Sequence, residues 1–178
     1  MLKKILIGLG VLLLVLVVVI ATRPGTFRYS RSRTMAVTPS AAFAQVNDFH
    51  KWDAWSPWAK VDPNCKNTFS GPESGKGAKF SWAGNNEVGE GAMTIIESRP
   101  PELIHINLEF IKPMPGVSLT EFTFKPEGDK TLVTWTMSGE NSFAGKAISL
   151  VMDCEKMCGD MFDKGLEGIE KAAKSEAK

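Results

Sequence analysis

From Thr68 to Ser138 the chain alternates short strand-like runs with turn clusters too brief to hold a helix. The runs are Thr68 to Ser70, Ala78 to Ala83, Val88 to Ser98, Glu102 to Ile111, Val117 to Phe124 and Thr131 to Ser138. Between them stand clusters such as Gly71-Pro72-Glu73-Ser74-Gly75, Pro100-Pro101, Pro113-Met114-Pro115-Gly116 and Pro126-Glu127-Gly128-Asp129. Parallel neighbours need crossovers of a dozen or more residues, so connections this short demand an antiparallel meander. Ile104, Ile106, Leu108 and Phe110 share one face of their strand, against His105, Asn107 and Glu109 on the other. Phe122 and Phe124 oppose Glu121, Thr123 and Lys125, and Val133, Trp135 and Met137 oppose Thr134, Thr136 and Ser138. A sheet that is apolar on one side needs an apolar cover on that side alone.

The C-terminal segment is the candidate cover. Ala147, Val151, Cys154, Cys158, Met161, Gly165, Ile169 and Ala172 recur at helical steps, with Asn141 as the predicted cap. Asp160 and Lys164, Glu167 and Lys171, and Glu170 and Lys174 form acid-first pairs on the opposite face. Gly145, Gly159, Gly165 and Gly168 interrupt the pattern at roughly 0.5 to 1 kcal/mol each. They predict close approach of another surface, or a break near Gly145 with the main helix starting later.

Ahead of the meander, Thr26 to Val37 reads as a first strand. Thr38 caps a short helix with Pro39 at its first position, Ala42, Phe43 and Val46 on its apolar face and its end near Asn47. The stretch from Asn47 to Trp58 then packs three of the five tryptophans among charged residues, as expected of a short element lying across something apolar.

Residues 1–25 stand apart, as an N-terminal transmembrane anchor and linker before a domain spanning 26–178. Met1-Leu2-Lys3-Lys4 precedes 17 uninterrupted apolar residues, Ile5 to Ala21. That is the low end of a membrane span and longer than the core of most signal peptides. An uncleaved anchor is the first reading and a cleaved signal peptide the alternative. The two-lysine start favours placing the domain on the exported, periplasmic or extracellular face. Arg23, Arg28, Arg31 and Arg33 form a collar suited to anionic head groups.

Charge excludes one function class. The net charge is +1, but residues 1–47 hold six basic residues and no acid, which leaves 15 basic against 20 acidic, or −5, in the remainder. A domain of that sign repels a phosphate backbone, so nucleic acid is not an expected partner. Cys65, Cys154 and Cys158 form no CxxC pair and are expected to be free thiols packed as small apolar groups. No metal or other cofactor is expected, nor any catalytic residue. His50 beside Asp48 and Asp53 is a weak candidate base, His105 lies on the wet face, and Gly89-Glu90-Gly91 reads as a bulge.

Taken together, Phe43-Ala44-Gln45-Val46-Asn47-Asp48-Phe49, Trp52-Asp53-Ala54-Trp55-Ser56-Pro57-Trp58, Ser70-Gly71-Pro72-Glu73-Ser74-Gly75, Trp82-Ala83-Gly84-Asn85, Val88-Gly89-Glu90-Gly91 and Val133-Thr134-Trp135 resemble the START-like (SRPBCC) superfamily. The branch resembled is polyketide cyclase/dehydrase and lipid transport, over about 150 residues from Phe27 onward. The resemblance implies an α+β helix-grip fold: a curved antiparallel β-sheet wrapped around a long C-terminal α-helix, with two short helices after the first strand. It further implies a cavity between sheet and helix for a hydrophobic small molecule or lipid. Alternation places Trp55, Phe80, Trp82, Met93, Phe122, Trp135, Met137 and Met161 on the inner face or its rim, as candidate ligand-binding residues. The function expected first is a membrane-tethered binding module. A cyclase- or dehydratase-like enzyme and an interaction domain with a collapsed cavity are the alternatives.

Overall fold

The computed structural model describes residues 1–176, so the last two residues of the expected 26–178 domain lie outside it. Helix α1 (Leu2–Ala21) precedes strand β1 (Thr26–Met35), helix α2 (Pro39–Asn47), a 3-10 turn (Phe49–Lys51) and helix α3 (Trp52–Trp55). The meander follows as β2 (Lys66–Ser70), β3 (Lys79–Ala83), β4 (Glu90–Arg99), β5 (Leu103–Lys112), β6 (Gly116–Glu127) and β7 (Lys130–Glu140). Helices α4 (Phe143–Ile148) and α5 (Cys154–Glu176) end the chain. All seven strands form one antiparallel sheet in the order β1-β7-β6-β5-β4-β3-β2, and α5 lies on its inner face, the helix-grip arrangement.

Local chemistry explains most boundaries. The Thr38 hydroxyl accepts from the Ala41 amide at 3.3 Å, with Pro39 in the first turn of α2. Asp48 likewise accepts from the His50 amide at 2.9 Å and starts the 3-10 turn. Between Glu90 and Gly91 the β4–β5 register shifts, as a bulge there requires, and Gly89 holds a left-handed φ of 65°.

The C-terminal segment departs from expectation in four respects. Ser142, not Asn141, caps α4, accepting from the Gly145 amide at 3.1 Å. The Asn141 side chain instead donates to the Pro24 carbonyl oxygen at 3.2 Å and ties the linker down. Asp160 pairs with Lys156, one turn earlier, instead of Lys164. The face of α5 against the sheet is Gly159, Phe162, Gly165, Leu166, Ile169 and Ala173, while Val151 is 83% exposed in the turn before the helix. Phe162 and Leu166 carry the larger apolar volume, which sets the rotation of the helix.

The arginine collar is also not free to face lipid throughout. Arg31 lies across the inner face over Gly159 with Asp163 at 3.6 Å, and Arg33 pairs with Glu170 at 2.9 Å. Glu170 is the main polar clamp between α5 and β1. Its carboxylate accepts from Lys174, Arg33 and the Ala36 amide. These bonds, the one from Lys174 foremost, lower its pKa from 4.5 to about 2 against an opposing burial effect. A carboxylate with a depressed folded pKa binds fewer protons folded than unfolded, so its contribution is complete above pH 4.5 and lost as pH falls through about 2. Glu170→Gln is therefore expected to lower stability by about 1 to 3 kcal/mol at neutral pH, the worth of a hydrogen bond to a charged group. It should also flatten the stability curve between those two pH values, as read by urea unfolding across the acid range; an unchanged slope would remove Glu170 from the clamp.

Candidate functional site

Strand pairing sets the centre of the inner face. Phe122 on β6 and Trp135 on β7 are cross-strand partners with ring centroids 4.7 Å apart. Phe162 of α5 stacks on Trp135 from above at 4.4 Å, and Trp55 meets its edge at 6.0 Å. Gly165 leaves space for this contact: a Cβ there would stand 2.6 Å from the Trp135 ring. The aromatic stretch after α2 is thus the end wall of the grip. Two of its three indoles are fixed by hydrogen bonds to carbonyl oxygens of α2, Trp52 donating to Val46 and Trp55 to Gln45, each at 3.0 Å.

From this centre ring contacts run without a gap to the far end of the sheet. Trp55 touches Trp52, Trp52 touches Phe49, Phe49 touches Phe80, Phe80 stacks on Trp82, and Trp82 meets Phe110 edge-on. The eight expected ligand-binding residues divide along this line. Trp55, Phe122 and Trp135 are buried together at the centre. Phe80, Trp82 and Met93 form a half-buried group on β3 and β4, where Phe80 and Met93 are cross-strand partners. Met137 packs half-buried against the core, and Met161 is half-buried on α5. Three rings absent from that set also take part: Phe49 and Trp52 join the two groups, and Phe162 stacks on Trp135. The spacing Phe162, Leu166, Ile169, Ala173 was the signal for Phe162.

One polar atom at the centre is unmatched. The indole nitrogen of Trp135 is buried and donates to nothing among the described residues. Trp52, Trp55 and Trp82 each donate to a backbone carbonyl, Trp82 to that of Val88 at 3.0 Å, and Trp58 is 39% exposed. A buried donor without a partner costs about 1 to 3 kcal/mol. Such a group inside an apolar ring cluster can orient a molecule that brings one acceptor on an otherwise apolar body.

The remaining reactive groups lie elsewhere. The His50 Nδ1 is 2.9 Å from Asp48, and its ring stacks on Phe69 at 4.3 Å beside a surface depression of about 170 Å³. His105 bridges Glu97 and Glu121 at 2.8 and 2.9 Å on the outer face of the sheet. Burial, and then the neighbouring Cys154, push the Cys158 thiol up, which makes it a poor nucleophile. All three cysteines are free, and no group of three His, Cys, Asp or Glu side chains among the described residues is placed to hold a metal ion.

Comparison with known proteins agrees with this architecture. The family model described as polyketide cyclase/dehydrase and lipid transport matches residues 26–174. Among solved structures, a protein from Thermus thermophilus is similar at a TM-score of 0.61 and 15% identity, over 85% of this chain and 100% of that one. A Mesorhizobium loti protein is similar at 0.61 and 14% identity, over 84% and 98%. A Rhizobium loti protein is similar at 0.58 and 19% identity, over 80% and 96%. Likeness at these identities carries the fold alone. No curated protein matches the sequence.

Proposed function

The chain belongs to the polyketide cyclase/dehydrase and lipid transport family, and from that premise we propose that it is a membrane-tethered module holding a lipid or other apolar small molecule between sheet and C-terminal helix. The observation that carries the reading is the unpartnered Trp135 indole N–H within an aromatic cluster. A ligand carbonyl, carboxylate or hydroxyl oxygen accepts that hydrogen bond, and the ligand's apolar body lies along the inner face. Trp55, Phe80, Trp82, Met93, Phe122, Met137 and Met161 are the residues proposed to line it. Entry follows displacement of α5, and the three methionines, unbranched and adaptable, repack around ligands of varied shape. The tether is α1, twenty residues long and apolar enough to span a bilayer, with Ile20 its one buried residue among those described.

Trp135→Phe deletes the donor and keeps one ring in the stack, at the cost of the volume of the indole's second ring. In the full chain reconstituted into nanodiscs, a diazirine-bearing fatty acid is expected to label inner-face residues. The substitution should raise the concentration for half-maximal labelling about five- to tenfold, the worth of one hydrogen bond. Stability should fall by about 1 to 3 kcal/mol, the cavity left by the smaller ring being partly offset by removal of the orphan donor. Unchanged labelling would return Trp135 to the core and favour the interaction-domain reading.

A further inference from the structure

We propose that the end of the sheet nearest α1 is a bilayer-docking surface, its apolar side chains seated in the head-group region of the leaflet that α1 leaves. The proposal rests on α1 being a retained membrane span, and its test separates the two ideas. Antiparallel pairing brings four chain segments to this one end. Thr26 at the start of β1 lies opposite Glu140 at the end of β7, Ser118 near the start of β6 lies opposite Gly139, and Gly116 lies opposite Phe110 at the end of β5. Helix α4 and the turn after it continue from β7 at the same end, where α4 packs on α1.

The distribution of exposed apolar side chains is strongly one-sided. Beyond α1, thirteen large apolar side chains among the described residues are exposed, and nine of them belong to this end. They include Ile111, Met114 and Val117 on the β5–β6 hairpin and Phe143, Val151 and Met152 on α4 and its following turn. Scattered exposed apolar residues are ordinary, but a cluster on one rim marks an interaction surface.

The linker identifies the occupant. Only Thr22 to Gly25 separate α1 from β1, which at full extension spans about 14 Å. That reach is further shortened by three clamps. The Asn141 amide donates to the Gly25 carbonyl oxygen at 2.8 Å, the Asn141 side chain to Pro24 at 3.2 Å, and the Arg23 guanidinium to Ser149 at 3.4 Å. With α1 in a bilayer, whose head-group layers are each about 6 Å deep, this rim has no room to stand clear of the lipid. A second copy or a partner protein would have to occupy the same narrow gap. Charge at the rim is mixed: Arg23 and Lys146 are basic, Lys112 is paired with Glu90 at 2.9 Å, and Glu140 is acidic. Docking is therefore driven by apolar burial, and salt should affect it little.

The test uses the full chain in vesicles of equimolar phosphatidylcholine and phosphatidylglycerol. Cys65, Cys154 and Cys158 are replaced by alanine, and an environment-sensitive fluorophore is placed by Val151→Cys, Met114→Cys or, as a control, Ile96→Cys. Ile96 is 44% exposed on β4, toward the other end of the sheet. Acyl-brominated lipid is expected to quench the probes at 151 and 114 about twofold or more, insensitively to salt, and to leave the probe at 96 unchanged. Flotation with the vesicles while all three probes stay equally unquenched would overturn docking and leave the tether standing. Failure to float would overturn the tether, and the proposal with it. Emission at 151 that depends on protein concentration but not on bromine would assign the rim to self-association and overturn the lipid assignment. Probes on two separate segments, each checked by thermal unfolding, guard against one misfolded variant.

Discussion

Phe122→Ala is expected to lower the unfolding free energy by about 4 kcal/mol, near the top of the range for a buried aromatic. The ring is 0% exposed and touches Trp135, Phe124 and Trp52. The size of the loss depends on whether the neighbours can close the gap. Trp52 cannot move in without breaking its bond to Val46, and Trp135 is held from the other side by Phe162 and Gly165. The cavity should therefore persist, adding its own cost to the lost transfer energy. Leu119→Ala, on the outer face of the same strand and 38% exposed, should cost less than about 1 kcal/mol. Urea unfolding of the full chain in detergent micelles, followed by far-UV circular dichroism, measures both. A loss below about 1.5 kcal/mol for Phe122→Ala would show that the ring cluster relaxes freely.

The second large effect comes from adding a single carbon. Gly168→Ala is expected to destabilise the domain by about 2 kcal/mol, although alanine favours a helix over glycine by about 1 kcal/mol. A Cβ at 168 would lie 2.6 Å from the Trp55 carbonyl oxygen and 3.1 Å from its Cα, and backbone atoms in a helix cannot step aside. Gly159→Ala is the matched contrast. Its Cβ would meet the Arg31 guanidinium, which is the far end of a flexible chain and can swing away. That change should be neutral or mildly stabilising in the same assay. Equal effects at the two positions would refute close backbone approach as the reason for Gly168.

Where structure is decided by neighbours in sequence, the sequence was readable. Thr38 and Pro39 start a helix through bonds reaching three residues, and the strands of the meander lie where alternation and turn residues put them. The family resemblance, carried by motifs spread over the domain, likewise agreed with the fold. Side-chain destinations across the fold were less accessible. Ser142 and Asn141 are both competent caps, and the choice went to Ser142 because Asn141 is engaged by the linker. The rotation of α5 differs from the expected stripe because the large side chains Phe162 and Leu166, not small ones such as Cys154 and Cys158, set which face is buried. Which of five indoles lacks an acceptor was illegible, since the acceptors are backbone carbonyls supplied by other elements. The apolar rim did leave a trace: regular alternation breaks at Phe110-Ile111, and Val117 and Leu119 fall on the otherwise polar face.

The pairing of β1 with β7 also governs when the domain can form. Its partners, from Met35 with Thr131 to Thr26 with Glu140, are separated by about a hundred residues. The first strand made is thus completed by the last, and α5, the element that covers the inner face, comes later still. No N-terminal part of the chain can close a core during synthesis, so β1 waits, tied to α1, until the whole chain is available. A chain cut short before β7 therefore leaves β1 without a partner strand beside α1.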